Sequence, residues 1–370
     1  MLRQFPRPVK RVVIKIGSSV IATYRARPRS SQLKALVAQI CELNRKKVDV
    51  ILVSSGAIVL GMETMGLKTR PGDLASLQSL AAVGQTVLMQ TFSALFKPHA
   101  THCAQVLLTW DDFDNRQRYN NARSTLKTIL SHNVIPVINE NDTISTDEIK
   151  FGDNDKLSAF VATLVHADLL LILSDVEGFY TLKPGDSKGK PAAIFDEIRE
   201  ITPEIEGLAG GTTKTHLSKG GMLTKLEAVK MAAHARVPAI IAHAETKNIL
   251  PRILQGERIG TFFIEREDKL LDRKHWISFG AKPKGVIYVD EGAQRALLQG
   301  GRSLLLPGVV DWEGHFKRND VVVVCGPDRH EFARGLTGYA AGDLQAAQGG
   351  EERRGKKEVI HCNNLVLSKR

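Results

Sequence analysis

Six short runs of apolar and β-branched residues, at positions 12–16, 48–53, 102–108, 134–138, 169–173 and 238–242, punctuate the first 260 residues of this chain. Between them, at 31–45, 73–95, 115–131, 155–165 and 222–235, apolar residues recur every three or four positions, the spacing of one helix face. Strand and helix in alternation imply right-handed βαβ units and a mainly parallel sheet covered by helices on both faces. A functional site is then expected beyond the carboxyl ends of the strands.

At 370 residues the chain is too long for one modest domain, and its pattern changes late. Residues 1–264 carry the alternation. Residues 265–280, with Arg266, Glu267, Asp268, Lys269 and Gly280, read as a charged linker. Residues 281–370 read as a small β-rich domain with strands at 285–289, 303–306, 321–325 and 332–336, and one amphipathic helix near 292–298. The tail at 349–357 has the composition of a mobile loop.

The excess of 51 Lys and Arg over 40 Asp and Glu gives a net charge of +11, which favours an anionic partner such as a nucleotide, a carboxylate or RNA. That charge is spread: residues 281–370 hold 14 basic and 11 acidic side chains, so no segment identifies nucleic-acid binding by itself. The basic start (Arg3, Arg7, Lys10, Arg11) meets Lys15 before an apolar signal core can form. No stretch approaches the roughly 18 uncharged apolar residues of a membrane span, so no membrane partner and a cytoplasmic location are expected. Cys41, Cys103, Cys325 and Cys362 lie far apart, without zinc-site spacing. They are expected to be isolated, buried, free thiols.

Polar residues gather where the strands end. Lys15 closes the first run just before Gly17-Ser18-Ser19, where an ammonium and backbone N–H groups can meet one anion. An ordinary edge-strand or turn lysine has the same local signature. Ser54-Ser55-Gly56-Ala57 repeats the arrangement after the second run, suiting a carboxylate or phosphate, or equally a plain N-cap. Ser174-Asp175 ends the fifth run with a pair able to hold a ribose or base, a pair that strand-to-turn junctions also carry without function. The segment Ser218-Lys219-Gly220-Gly221-Met222-Leu223-Thr224-Lys225 opens the last helix of the series. Its adjacent glycines let backbone amides approach an anion, and Lys225 can reach over it. Two further clusters, Asn139-Glu140-Asn141-Asp142 and Gly152-Asp153-Asn154-Asp155, follow the fourth run and open the next helix. Neither a Walker P-loop nor a GxGxxG fingerprint is present, so a phosphate site has to be assembled from several strand ends.

In order and spacing these motifs resemble the glutamate 5-kinases of the amino acid kinase superfamily over about the first 260 residues, the Asn-Glu-Asn-Asp and Gly-Asp-Asn-Asp clusters being the most specific. Residues 281 to about 365 resemble a PUA domain, an RNA-binding module. The resemblance implies an amino acid kinase fold and ATP-dependent phosphorylation, with Mg²⁺, of the side-chain carboxylate of L-glutamate to L-glutamate 5-phosphate, the first step of proline biosynthesis. Lys15 and Lys225 would stabilise the transferring phosphoryl group, and Asp155 would organise both lysines. Ser55, Asp142 and Asn154 match the glutamate-binding positions, with Asn139 and Asp153 alongside. Lys15, Ser174, Asp175, Lys219, Gly220, Gly221, Met222, Leu223, Thr224 and Lys225 match the nucleotide-binding positions. No protein ligand of Mg²⁺ is assigned.

The resemblance also implies feedback inhibition by L-proline and RNA as a partner of the PUA domain. A homo-oligomer, dimer or tetramer, is expected, with the 73–95 helix and the 66–72 loop as interface and substrate-covering elements. One departure stands out. Where the family usually has Gly-Thr-Gly-Gly-Met, this chain has Ser218-Lys219-Gly220-Gly221-Met222, exchanging a glycine and a hydroxyl for a serine and a third lysine. Acetylglutamate, aspartate and uridylate kinases would share the sheet and the lysines, but residues 139–142 and the C-terminal domain speak against them. An RNA-binding protein with a degenerate kinase domain is opposed by the intact Lys15, Asp155 and Lys225.

Overall fold

The computed structural model describes residues 2–22, 30–144, 154–181, 193–209, 221–264, 274, 277, 283–348 and 358–368. The chain divides into two compact units, Met1–Lys269 and Leu270–Arg370.

The first unit alternates as its pattern requires. Its strands are β1 (Arg11–Ile16), β2 (Asp49–Ser54), β3 (Cys103–Leu108), β4 (Ile135–Glu140), β5 (Leu169–Ser174), β6 (Glu197–Ile198), β7 (Ala239–His243) and β8 (Thr261–Phe263). Its helices are α1 (Ser18–Ala22), α2 (Ser30–Arg45), α3 (Ala57–Thr64), α4 (Leu74–Phe96), α5 (Trp110–Asp114), α6 (Arg116–Ser131), α7 (Asn154–Leu164), α8 (Pro203–Ala209), α9 (Met222–His234) and α10 (Ile249–Leu254). The eight strands form one sheet in the order β3-β4-β2-β1-β5-β7-β8-β6, parallel except where β8 runs antiparallel to β7. β1 is central, with Lys15 level with Val53 of β2 and Ile172 of β5. After β1 the chain builds leftward through β2, β4 and β3, and from β5 it builds rightward. The crevice beyond the ends of β1 and β5 is therefore a topological switch point, where open α/β sheets place their ligands.

Period-two alternation along β1 assigns its side chains to two faces. Val12, Ile14 and Ile16 pack into a core with Leu33, Leu36 and Val37 of α2, Leu88 and Phe92 of α4, and Ile249 of α10. Lys15 lies on the other face, which α7 covers. Helices α7 and α9 also pack on each other, which brings their amino ends together.

Two close approaches shape the left half of the sheet. Gly56 sits at φ 104°, in the left-handed region, and ends β2 so that α3 can start at once. Helices α3 and α4 then meet backbone to backbone. A Cβ on Gly84 would run into the Ala57 carbonyl oxygen, and one on Gly61 into that of Leu80.

Several expectations need correction. Helix α4 with the turn after it, Leu74–His99, is long and apolar enough to cross a membrane by length and composition; Ser76, Gln78 and Gln85 interrupt the apolar run but carry no charge. It packs on the sheet, burying Leu77, Leu80, Leu88, Phe92 and Phe96. All four cysteines are free, but only Cys41 and Cys325 are buried; Cys103 and Cys362 are partly exposed. Much of the basic start is used internally: Arg3 donates to the carbonyls of Ile259, Asp196 and Gly260, Arg7 pairs with Asp168, and Arg11 with Asp49.

The second unit holds a five-stranded sheet in the order β11-β9-β12-β13-β15, made of β9 (Gly285–Val289), β11 (Val309–Gly314), β12 (Val321–Cys325), β13 (Glu331–Leu336) and β15 (Leu365–Leu367). A two-stranded ribbon pairs β10 (Leu304–Leu305) with β14 (Glu358–Ile360). Helices α11 (Glu291–Leu298) and α12 (Ala341–Gln348) complete it around a core of Ile287, Leu297, Val322, Val324, Leu344 and Ile360.

Candidate active site

Asp155 is the hub. It occupies the first turn of α7, where a helix N-terminus favours negative charge, and it is 1% exposed. Lys15 Nζ lies 2.5 Å from Asp155 Oδ1, and Lys225 Nζ lies 3.5 Å from Oδ2. Thr224 Oγ1 donates to Oδ2 at 3.1 Å. Both lysines are buried, at 7% and 5% exposure. A buried ammonium survives only beside a counter-charge, and a single carboxylate serves two of them here. Burial pushes the Asp155 carboxyl up most strongly, yet the Lys15 and Lys225 ammoniums, with hydrogen bonds from Lys15 and Thr224, outweigh it and hold the group down at about 2. The result is a net positive site at the ends of β1, α7 and α9, suited to an anion.

Beside it, Asn154 opens α7 and gathers the strand ends on the left. Its Nδ2 faces three acceptors that share its two hydrogens, the Ser54 carbonyl at 3.1 Å, Ser55 Oγ at 2.8 Å and Asn139 Oδ1 at 2.9 Å. Asn139 in turn donates to Gln85 Oε1 at 2.9 Å, and Gln85 Nε2 to Gln105 Oε1 at 3.2 Å. Asn154 is 8% exposed, and its Oδ1 is buried with no hydrogen-bond partner among the described residues. Asp142 follows β4. Burial first, and then the nearby Glu140 carboxylate, push its carboxyl up to about 7, against the pull of Arg70 from the loop between α3 and α4.

On the right of the crevice, Ser174 ends β5, and its Oγ donates to Asp175 Oδ1 at 2.8 Å. Ser174 is buried and Asp175 exposed. Gly221 caps α9 in an extended conformation, Met222 is buried and Leu223 is exposed. The structure thus brings together Lys15, Asp155, Thr224 and Lys225 as one cluster, and Ser55, Asn139 and Asn154 as another beside it. Asp153, Lys219, Gly220 and the altered Ser218 lie outside the described residues. Sequence reasoning missed Gln85, Gln105 and Arg70, and placed Glu140 in a polar cluster without giving it a role. Among the described residues no group of three or more His, Cys, Asp or Glu side chains could hold a metal ion.

A central-strand lysine sharing one buried carboxylate with a helix-start lysine, at the switch point of a parallel sheet, equips the site for phosphoryl transfer. The pattern of the amino acid kinase family matches residues 10–243, and that of the PUA domain residues 285–359. The chain belongs to the amino acid kinase family. Its full-length relatives are narrower in kind. A glutamate 5-kinase of Geobacter sp. strain M21 is 43% identical over 99% of this chain and 100% of its own length. One of Dictyoglomus turgidum is 44% identical over 98% of each chain. Among solved structures, a carbamate kinase from Giardia lamblia bound to AMP-PNP is 18% identical, covers 70% of this chain and 99% of its own, and superposes with a TM-score of 0.49.

Proposed function

We propose that the protein transfers the γ-phosphoryl group of ATP to the side-chain carboxylate of L-glutamate, forming L-glutamate 5-phosphate, the first step of proline biosynthesis. The observation that carries this reading is Asp155 held between Lys15 and Lys225, immediately beside the Ser55, Asn139 and Asn154 cluster.

The nucleophile, a carboxylate with an ordinary pKa near 4.3, is ionised at neutral pH. It needs no general base. The obstacle is repulsion between that carboxylate and a triphosphate, so catalysis has to come from cations and oriented donors around an in-line transfer. Lys15 and Lys225 supply two positive charges, and Asp155 keeps both side chains in place. Ser55, Asn139, Asp142, Asn154 and Asp153 form the glutamate half, with Asp142 as a counter-charge for the α-ammonium. Ser174, Asp175 and residues 219–225 form the nucleotide half. The donor set suits a Mg²⁺ that travels with the nucleotide: Asp155 is engaged by two lysines, and a hard cation of this kind keeps phosphate oxygens and waters as its ligands. Bound there, it would neutralise phosphate charge. L-proline, sharing the α-ammonium and α-carboxylate of glutamate, would compete for the same half.

The test is ATP-dependent hydroxamate formation with added hydroxylamine for L-glutamate, N-acetylglutamate and L-aspartate, whose products would be acyl phosphates, and ATP-dependent ADP release for UMP, whose product would not be. Product that requires both ATP and L-glutamate, at a kcat/KM at least about a hundredfold above the other acceptors, is the expected result. Equal or greater turnover of another acceptor would overturn the reading.

A further inference from the structure

Four side-chain amides, running from the start of α7 through β4 to α4 and β3, form a directional series with the Ser55 hydroxyl beside its first member, and its direction is fixed at that end. The Ser54 carbonyl can only accept, so the Asn154 amide must turn its NH₂ toward it. With the NH₂ facing Asn139, Asn139 must present its oxygen to Asn154 and its own NH₂ to Gln85. Gln85 must then accept with Oε1 and donate with Nε2 to Gln105. No member can flip without setting two donors or two acceptors face to face. At the far end Gln105 is exposed and Gln85 half-buried, whereas Asn139 and Asn154 are buried.

One atom is left over. Asn154 Oδ1 is buried and has no hydrogen-bond partner among the described residues, in an interior where such acceptors are normally satisfied. Ser55 Oγ, by accepting from Asn154, keeps its own hydrogen available for donation. The series therefore presents one acceptor and one donor side by side, the complement of an ammonium next to a carboxylate. The depth of α4 is set by the backbone contact of Gly84 with Ala57, and Gln85 is the next residue. Close helix packing thus places the amide that orients the site.

We propose that Gln85, backed by Gln105, is a positioning residue for the amino-acid half of the site. Through Asn139 it holds the Asn154 carbonyl oxygen toward the α-ammonium of the amino-acid substrate. This rests on the function proposed above. Neither glutamine touches the reacting atoms, so loss of Gln85 changes substrate affinity without changing the chemical step.

The experiment is steady-state kinetics of the full-length protein, by ATP-dependent hydroxamate formation, for wild type, Gln85→Leu, Gln85→Glu and Gln105→Leu. Gln85→Leu is expected to raise KM for L-glutamate about tenfold, the worth of one or two buried hydrogen bonds, with kcat within about twofold and KM for ATP unchanged. Gln85→Glu keeps an acceptor for Asn139 and is expected to restore KM to within about threefold of wild type. Gln105→Leu, altering the exposed end, should raise KM by no more than about twofold. An active wild type whose KM for glutamate is the same in Gln85→Leu, or a variant that loses kcat and both KM values together without rescue by Gln85→Glu, would overturn the positioning role while leaving the proposed reaction intact. If Gln85→Leu does not fold, an unrescued KM in Gln85→Glu overturns it equally. A wild type without glutamate-dependent product would overturn both.

Discussion

At the scale of single residues, two carboxyl groups in one site are driven in opposite directions, and each has a consequence in pH. Asp155, held at about 2 by its two lysines against its burial, is more acidic folded than unfolded. It contributes stability that is fully present above its ordinary value of 3.8 and is lost as the pH falls toward 2, on the order of 2 kcal/mol. Asp155→Asn removes the shared counter-charge from two buried ammoniums, a loss that costs about 3–5 kcal/mol in comparable pairs. We expect a lower denaturant midpoint at neutral pH, with the difference from wild type shrinking as the pH is lowered toward 2. Asp142 goes the other way. Pushed up to about 7, it is protonated in the free protein below neutrality, and the counter-charge proposed for it toward an α-ammonium disappears there. Glutamate kcat/KM should therefore fall as the pH drops through about 7, and Asp142→Asn should be low throughout with that inflection gone. A pH profile of both proteins checks this.

At the scale of elements, the central strands were legible because burial on both faces leaves an uninterrupted apolar run, as in residues 169–173, which became β5 almost residue for residue. The edge was not. β6 and β8 are two and three residues long, too short to show a period, and β8 owes its place to antiparallel pairing with β7. Lys15, Asp155 and Lys225 were visible because strand ends and helix starts are marked by glycine, serine and acidic clusters. Gln85 was not, since one glutamine in the middle of a 23-residue helix looks like part of its solvated face. What gives it a role is the contact of Gly84 with Ala57, which pairs positions 27 residues apart and leaves no local mark. Gly84→Ala must push α4 away from α3. We expect an overpacking loss of about 1–3 kcal/mol by urea denaturation, together with a raised KM for glutamate.

At the scale of the whole molecule, every described residue of the candidate site lies within Met1–Lys269, and the second unit has its own core. A protein truncated after residue 269 should fold and keep kcat within about threefold of the full chain, as expected of a domain with its own core; loss of activity with retained folding would show that the second unit contributes to catalysis. The claim on which everything else depends is that two lysines sharing one carboxylate carry out phosphoryl transfer to a carboxylate acceptor. Single-turnover formation of glutamyl hydroxamate, compared between wild type and Lys15→Ala at saturating ATP and L-glutamate, addresses it directly. Removing one fixed charge from the transition state should slow the transfer by at least about a hundredfold, with ATP still bound. Equal rates in the two proteins would contradict it.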